Sequence, residues 1–432
     1  MIILKGVKLF DGERLREGLY DLLIEGRIVK RIVPTGNMNM FEGAKVIDLS
    51  GKIACPGFID IHVHLREPGG EWREEIKSGA LAGAYGGFTT IVAMPNTNPP
   101  IDSPELVRFV KLTGERAKGA KVLPAGSVSK GREGKELTEM ARMVKEGAVL
   151  FTEDGSPTVR TDLLRSAMLY AKDLGVRIME HPEDPYLSEN GQINEGKVSA
   201  ISGLKGIPAT SELIDVERCI ALSRELDVPI HITHVSTALA IRAIRKAKEE
   251  GVKVTCDVTP HHLTLDESKI LESGYDSVYK VRPPLRSLED VEALWDALRN
   301  GVIDAIATDH APYHIDEKDL PFEEAPSGIA SLECAVAVVL DAWEKRNRPV
   351  SLDRLLRLFT SGPSRVLPES YRSLGYLREG GFADITVIDL DKVSRVDVST
   401  WKSKARLTPW NGLSLKGWPI LTMVEGEIIN DI

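Results

Sequence analysis

The chain has 432 residues, long enough for a large domain and a smaller one. Its residues are 42% hydrophobic and 28% charged, values typical of a soluble globular protein. Its formal net charge of −9, without a sustained basic run, argues against nucleic acid or an anionic membrane surface as a partner. No apolar run approaches the roughly 18 residues of a membrane span, and the first residues lack a signal-peptide pattern, so we expect a cytoplasmic protein.

Both ends of the chain have the pattern of short strands separated by turns. The clearest strand patterns lie at 7–10, 22–24, 381–389 and 421–429. Neither end has enough strands to form an independent core. We therefore predict that residues 1–52 and 368–432 pair into one small composite β-sandwich domain.

Between the two ends, apolar β-runs alternate with helical patterns. Strands are predicted at 53–62, 89–95, 121–127, 148–153, 176–181, 228–235, 252–258 and 302–309. Helices are predicted at 74–85, 103–118, 162–174, 211–225, 237–250 and 288–300, with Ser103 and Ser211 as N-cap residues. Eight β/α repeats of this length predict an α/β fold, a (β/α)8 TIM-type barrel over residues 53–367.

The first predicted barrel strand ends in a His-x-His motif, His62 and His64. Residues i and i+2 of a strand point to the same side, so both imidazoles can reach one metal ion. With nine histidines in the chain, roughly 0.2 such pairs are expected by chance. The alternative is a pair of histidines on the solvent-exposed face of an edge strand.

Metal-ligating residue types also end other predicted strands. The C-terminal ends of barrel strands meet at one face, where the active site of such barrels lies. Five of the eight predicted ends carry such residues, namely His62, His64, Asp154, His181, His234 and Asp309. Four imidazoles with carboxylates suit Zn²⁺, with Mn²⁺ or Co²⁺ as substitutes, and their number predicts two ions. A further carboxylate must move the proton, and Asp309 is the candidate.

Several motifs closely resemble those of the dihydroorotases of the amidohydrolase superfamily. They are HVHLREPG at 62–69, MPNT at 94–97, HVST at 234–237, CDVTPHH at 256–262 and TDHAP at 308–312. The resemblance extends from about residue 45 to the C-terminus. It implies a metal-dependent cyclic amide hydrolase that interconverts N-carbamoyl-L-aspartate and L-dihydroorotate, the third step of pyrimidine synthesis.

The resemblance also implies individual roles. One metal ion would be held by His62, His64 and Asp309, the other by His181 and His234, and Asp154 would bridge them. A metal-bridged hydroxide would attack the ring amide carbonyl, with Asp309 as general base and then acid. Arg66 and Asn96 would bind the substrate carboxylate, and a guanidinium suits this because it pairs with a carboxylate through two hydrogen bonds. The alternative for Arg66 is a surface pair with Glu67 or Glu71.

Three positions depart from common family patterns. Asp154 stands where many superfamily members have a carboxylated lysine, and Glu153 is a rival bridge although strand alternation points it away. Tyr313 stands where the family has a carboxylate-binding histidine, and either its hydroxyl or the adjacent His314 could substitute. Arg282 stands where many bacterial members have asparagine, and it would add positive charge for an anionic substrate.

Three other histidines keep open roles at this point. His231 faces the same way as His234 and is either a supporting group or a core histidine. His261 and His262 follow the seventh strand, where one could touch the substrate, although a structural hydrogen bond is favoured.

Two other functions compete with the dihydroorotase prediction. An allantoinase or hydantoinase would act on a ring without the exocyclic carboxylate, which would leave Arg66 and Asn96 little to bind. A catalytically silent scaffold for aspartate transcarbamoylase would be expected to lack several metal ligands, yet all six positions are filled. A homodimer and an association with aspartate transcarbamoylase are further expectations.

Overall fold

The structure of the protein, a computed structural model, describes residues 1–37 and 43–431. Its strands, in chain order, are β1 Ile2–Leu9, β2 Tyr20–Glu25, β3 Ile28–Pro34, β4 Lys45–Asp48, β5 Ile53–Pro56, β6 Phe58–Val63, β7 Phe88–Ala93, β8 Lys121–Ser127, β9 Leu150–Thr152, β10 Arg177–Glu180, β11 Ile193–Asn194, β12 Gly206–Ile207, β13 Ile230–Ile232, β14 Val254–Val258, β15 Ala305–Ile306, β16 Ile385–Arg395, β17 Ser414–Val424 and β18 Glu427–Asp431.

The α-helices, in chain order, are α1 Ile76–Tyr85, α2 Pro104–Arg116, α3 Met140–Glu146, α4 Thr161–Asp173, α5 Lys197–Ser202, α6 Ala209–Leu226, α7 Ala238–Glu249, α8 Pro260–Thr264, α9 Ser268–Glu272, α10 Leu288–Arg299, α11 Ile315–Lys318, α12 Ala335–Lys345, α13 Leu352–Arg357 and α14 Ser361–Ser364. Short 3-10 segments lie at Lys130–Arg132, Ser277–Tyr279, Glu369–Gly375 and Val398–Thr400. Within the described ranges, none of the helices combines the length and the apolar character needed to cross a membrane.

The central part of the chain forms the predicted (β/α)8 barrel. Its strands β6, β7, β8, β9, β10, β13, β14 and β15 are parallel and pair in chain order. The last strand returns to the first beyond its end, where Val63 bridges His310 and the His64 amide donates to the His310 carbonyl at 2.9 Å. Each of the eight predicted barrel strands overlaps an observed one, and the C-terminal ends face one mouth.

The prediction of a single strand at 53–62 is wrong, because two strands meet at Gly57. The first, β5, pairs with β16 and β1 of the terminal sheet, whereas β6 begins the barrel. A side chain at Gly57 would overlap Thr89, so the chain passes close to β7 here. Both strands are buried throughout, and the apolar run therefore gives no sign of the break.

The composite domain from both ends of the chain is confirmed. Strands from the two ends form one continuous sheet in the order β18-β17-β16-β5-β1-β2-β3, and β4 also pairs with β1. Its two halves share an apolar core that includes Leu4, Leu22, Ile385 and Leu421. Since β5 belongs to this sheet, we propose that the domain boundary predicted between residues 52 and 53 lies at Gly57.

The helix N-termini only partly follow the predicted caps. Ser103 caps α2, since its hydroxyl accepts a hydrogen bond from the Leu106 amide at 3.4 Å. The cap predicted at Ser211 is wrong, because α6 begins at Ala209, directly after Pro208. The Ser211 hydroxyl instead donates to the Asp184 carbonyl at 2.9 Å, a contact that fixes the loop after β10.

Candidate metal centre

The six predicted ligands converge at the C-terminal mouth of the barrel, with Asp154 in the middle. Its Oδ2 atom lies 3.1 Å from His62 Nε2 and 3.3 Å from His64 Nε2. Its Oδ1 atom lies 3.2 Å from His181 Nδ1 and 3.1 Å from His234 Nε2. One carboxylate thus faces two imidazole pairs, the arrangement expected of a residue that bridges two ions.

Asp309 completes the cluster from the end of the eighth strand. Its Oδ1 atom lies 3.0 Å from His64 Nε2 and 3.5 Å from His62 Nε2. Asp309 and His234 both have positive φ values, 44° and 38°, in a region that L-residues rarely adopt. Such backbone strain is found at functional sites, where the surrounding structure holds it in place.

The cluster fits a metal centre by its donor set. The groups His62, His64, Asp154 and Asp154, His181, His234 each place their ligand atoms within 4.8 Å of one another. All of these side chains are buried, and the nitrogens that face Asp154 are Nε2 of His62, His64 and His234 and Nδ1 of His181. Buried imidazole nitrogens that face a carboxylate in this way are the ligands that zinc prefers.

The same carboxylates strongly affect proton binding in the metal-free protein. Burial opposes the charged form of His62, but Asp154 and Asp309 outweigh it and raise the pKa of His62 to about 9. Burial likewise opposes protonation of His181, but Asp154 and Glu183 raise its pKa to about 10. Both imidazoles are therefore expected to be protonated at neutral pH in the metal-free protein.

A buried aspartate that the sequence analysis missed supports the cluster from behind. The ring of His62 contacts the Thr233 hydroxyl at 2.7 Å, and that hydroxyl donates to Asp257 Oδ2 at 2.9 Å. Asp257 Oδ1 accepts from the His234 amide at 2.7 Å, and Oδ2 contacts His231 Nε2 at 2.9 Å. His231 is thus a supporting group. The signal in the sequence that could have identified Asp257 is a carboxylate in the middle of an otherwise largely apolar strand.

A second missed residue, Glu183, orients His181. Its Oε2 atom lies 2.9 Å from His181 Nε2 and accepts from Arg282 Nε at 2.7 Å. Arg282 also donates to Glu183 Oε1, and to the Ser188 hydroxyl at 3.0 Å. Arg282 reaches the cavity, but its guanidinium is paired with Glu183, which favours a positioning role over the predicted contact with substrate.

Replacing Arg282 with glutamine is expected to weaken zinc binding about tenfold, because loss of a group that orients a metal-bound histidine has this effect. The Michaelis constant for the substrate should change less than threefold. Chelator competition gives the zinc affinity, and steady-state kinetics with saturating zinc gives the Michaelis constant. The matched control is Ser188→Ala, which removes the second partner of Arg282 but leaves its pairing with Glu183 in place. A large rise in the Michaelis constant with unchanged zinc affinity would restore the substrate-binding role.

All members of the histidine–aspartate cluster except His62 line a cavity of about 210 Å³ together with the predicted carboxylate-binding residues Arg66 and Asn96. Asn96 Oδ1 contacts His64 Nδ1 at 2.8 Å. Arg66 is 8% exposed, donates from Nε to the Pro312 carbonyl at 3.2 Å and stacks 4.6 Å from the Tyr313 ring centre. The outer guanidinium nitrogens are the part of Arg66 left for a substrate anion.

The alternative of a surface pair for Arg66 is not found among the described residues. Glu67 accepts from the Ile76 amide, and Glu71 accepts from the Gly69 amide. Each carboxylate thus stabilises local backbone and does not neutralise the buried guanidinium.

Of the two proposed substitutes for the family histidine, only Tyr313 lines the cavity. The side chain of His314 is 46% exposed and caps the short helix α11, where it accepts from the Asp316 amide at 3.3 Å. This position argues against the predicted substrate contact of His314, because the cap turns the ring towards solvent.

Three further side chains considered in the sequence analysis, Glu153, His262 and His261, lie outside the cluster. Glu153 points away from the cluster, as strand alternation predicts, and accepts from the Ser129 amide. His262 is held by the Thr259 hydroxyl at 2.8 Å and the Pro283 carbonyl at 3.1 Å. His261 is buried with neither ring nitrogen hydrogen-bonded among the described residues, and burial lowers its pKa to about 4.

Comparison with known proteins places this architecture in a family. A family model described as dihydro-orotase-like matches residues 51–239. The dihydroorotase of Pelotomaculum thermopropionicum is 46% identical over 390 residues, 90% of this chain and 89% of its own. That of Aquifex aeolicus is 42% identical over 428 residues, 99% of both chains.

Among solved structures, an L-hydantoinase from Arthrobacter aurescens superposes with a TM-score of 0.87 at 25% identity, covering 100% of this chain and 96% of its own. The hydantoinase likeness supports the barrel with its terminal sheet domain. The sequence identity is much higher to the dihydroorotases, over nearly the full length of both chains. The chain therefore belongs to the dihydroorotase family.

Proposed function

We propose that this protein is a zinc-dependent dihydroorotase that interconverts N-carbamoyl-L-aspartate and L-dihydroorotate in pyrimidine synthesis. The observation that carries the proposal is that Arg66 and Asn96 line the same cavity as the histidine–aspartate cluster. The substrate has a ring amide to hydrolyse and an exocyclic carboxylate to bind. A site with both a metal centre and a buried guanidinium matches these two features.

His62, His64 and Asp309 would hold one zinc ion, His181 and His234 a second, and Asp154 would bridge them. When bound, zinc polarises a carbonyl oxygen and makes water acidic enough for attack at neutral pH. Imidazole and carboxylate donors in a buried cluster support zinc, and the two separate ligand groups around Asp154 support two ions. The protein's own part is to fix these donors, which the contacts of Thr233, Asp257 and Glu183 achieve.

Asp309 is the proposed general base and acid. Burial raises its pKa, but His62 and His64 outweigh this effect and lower the pKa, so the carboxylate is ionised and can accept a proton. In ring opening it would take the proton of the attacking water and deliver it to the leaving ring nitrogen. In ring closure the same proton would move in the reverse direction.

Arg66 provides the proposed selectivity against hydantoin and allantoin, which lack the exocyclic carboxylate. The Tyr313 ring and the Pro312 carbonyl hold the guanidinium in one orientation, so little side-chain entropy is lost on binding. Asn96 contacts His64 through its oxygen, which leaves the amide nitrogen to donate towards the cavity. Two adjacent donors of this kind favour a carboxylate.

Replacing Arg66 with glutamine is expected to lower kcat/KM for dihydroorotate about 100-fold, since a buried charge-assisted pair contributes roughly 2–5 kcal/mol. Turnover of hydantoin, slow in the unmodified protein, should change little. Both substrates are assayed with each protein, and Arg142→Gln serves as the control at an exposed position. Equal losses on the two substrates, or faster turnover of hydantoin than of dihydroorotate by the unmodified protein, would contradict the assignment.

Zinc binding is expected to release about two protons at pH 7, because His62 and His181 are protonated in the metal-free protein and must become neutral to bind metal. The apparent zinc affinity should therefore rise between pH 7 and pH 10. Calorimetry in buffers of different ionisation enthalpy measures the proton count. A count near zero at pH 7 would show that these imidazoles are neutral before metal binds.

Further predictions concern the cellular location of the enzyme and its association with other protein chains. We propose a cytoplasmic location for this enzyme of pyrimidine synthesis. The homodimer and the association with aspartate transcarbamoylase stay predictions, which size measurement of the protein alone and mixed with that enzyme would test.

A further inference from the structure

A second polar cavity lies at the opposite end of the barrel, where the strands begin. It has a volume of about 360 Å³, and its lining includes five arginines, Arg177, Arg354, Arg357, Arg365 and Arg372. Arg177 is the first residue of β10, and Asp304 directly precedes β15. The catalytic cavity lies at the other ends of the same strands, so the two sites are separate.

The charge of this cavity is opposite to that of the whole chain. Asp304 is the carboxylate in its lining, and it already pairs with Lys248. At the rim, Glu13 pairs with Arg365 at 2.6 Å and lies 3.8 Å from Arg357. Among the described residues, Arg177, Arg354 and Arg372 form no salt bridge, which leaves a marked excess of positive charge in a protein of net charge −9.

The inner arginines are fixed by uncharged partners. Arg177 donates to the Thr255 hydroxyl at 3.2 Å, and that hydroxyl also contacts His231. Arg354 donates to the Leu298 carbonyl at 3.3 Å and to the Ile303 carbonyl. Their charges are therefore positioned but not neutralised, and positioned donors bind a ligand at low entropic cost.

The guanidiniums are close enough to repel one another. Burial lowers the pKa of Arg177, Asp304 opposes this effect, and the neighbouring Arg372 adds to it. Burial also lowers the pKa of Arg354, with Asp304 acting against it and Arg357 with it. An anion between these groups would remove the repulsion, and phosphate oxygens match the fork of guanidinium donors.

We propose that this cavity, lined by Arg177, Arg354, Arg357, Arg365 and Arg372, is a binding site for a phosphate-bearing small molecule, separate from the catalytic centre. The ligand would contact Arg177 and Arg354 at the floor and Arg372 at the entrance. The site requires no change in the fold, since its donors are already in place.

Binding of inorganic phosphate and of ribose 5-phosphate to the zinc-loaded protein tests this proposal by calorimetry at constant ionic strength. We expect saturable binding of at least one probe with a dissociation constant of about 1 mM or lower. Tighter binding of the ester would identify an organic phosphate, and tighter binding of phosphate a free ion. Absence of saturation by either probe at about 10 mM would overturn the proposal.

Substitutions of the lining arginines test whether the phosphate probes bind in this cavity. The double variant Arg177→Gln/Arg372→Gln should weaken it at least tenfold, and Arg372→Gln alone at least threefold. Arg372 is exposed and has no hydrogen-bonded side-chain partner among the described residues, so its loss should leave the fold intact. Arg242→Gln, on the exposed face of α7, and Arg66→Gln, in the catalytic cavity, should bind as the unmodified protein does. Equal weakening by either control would refute a site at this end of the barrel.

Discussion

Asp309→Asn is expected to lower kcat for dihydroorotate about 10³-fold in both directions, because general acid–base catalysis contributes roughly 10²–10⁴-fold. The amide has nearly the size of the carboxylate but cannot accept a proton. The Michaelis constant should change much less, since Arg66 and Asn96 are left in place. Steady-state kinetics in each direction, with zinc content measured on the same samples, separates lost proton transfer from lost metal.

The matched control for this prediction is Asp316→Asn. Asp316 lies in the short helix α11 that follows the eighth strand, and its side chain is 85% exposed. Its replacement should leave kcat within about twofold, as expected of an exposed surface position. A kcat for Asp309→Asn within tenfold of the unmodified value, at full zinc content, would remove Asp309 from the proton-transfer step.

The second large effect is expected for Asp154→Asn, the residue between the two imidazole pairs. Loss of its charge leaves four imidazoles without the central carboxylate that both ligand groups share. We expect bound zinc to fall well below two ions per chain, and kcat/KM to fall by at least about 10³-fold as metal assistance is lost. Metal analysis after extensive dialysis and activity at saturating zinc give the two quantities.

The adjacent Glu153→Gln is the control for Asp154. It removes a carboxylate from the same strand end, but one that accepts from the Ser129 amide and lies 3.8 Å from Arg132, outside the cluster. We expect normal zinc content and only a loss of stability, about 1–3 kcal/mol if the amide is left unsatisfied. Loss of zinc in Glu153→Gln but not in Asp154→Asn would indicate that Glu153, and not Asp154, is the bridging carboxylate.

The sequence predicts the barrel well because its strands are buried and end in polar residues. Phe58–Val63 and Phe88–Ala93 are buried throughout, and the candidate site residues His62, His64 and Asn96 lie at or shortly after their ends. The break at Gly57 could not be predicted, because two consecutive buried strands in different sheets give one apolar run. Helix α6 begins at Ala209, directly after Pro208, and the Ser211 hydroxyl instead contacts the Asp184 carbonyl, a tertiary contact that local patterns do not contain.

The clustering of the candidate metal ligands was predictable for a different reason. Once a barrel is assumed, its topology brings His62, Asp154 and Asp309 together at the strand ends, and strand alternation separates Asp154 from Glu153. The residues that support the candidate ligands are harder to predict. Arg282 and Glu183, which pair in the structure, lie 99 positions apart in the chain. His314 shows the same difficulty, because only the structure reveals that it begins a helix and faces solvent.

Removal of zinc with a chelator, followed by its stepwise return, tests the central claim most directly. The assay follows dihydroorotate hydrolysis and N-carbamoyl-L-aspartate cyclisation at each zinc-to-protein ratio. The claim that paired ions between His62, His64, His181, His234, Asp154 and Asp309 perform the reaction predicts no activity without metal and a maximum at two ions per chain. Full activity in the metal-free protein, or two bound ions with no turnover in either direction, would contradict it.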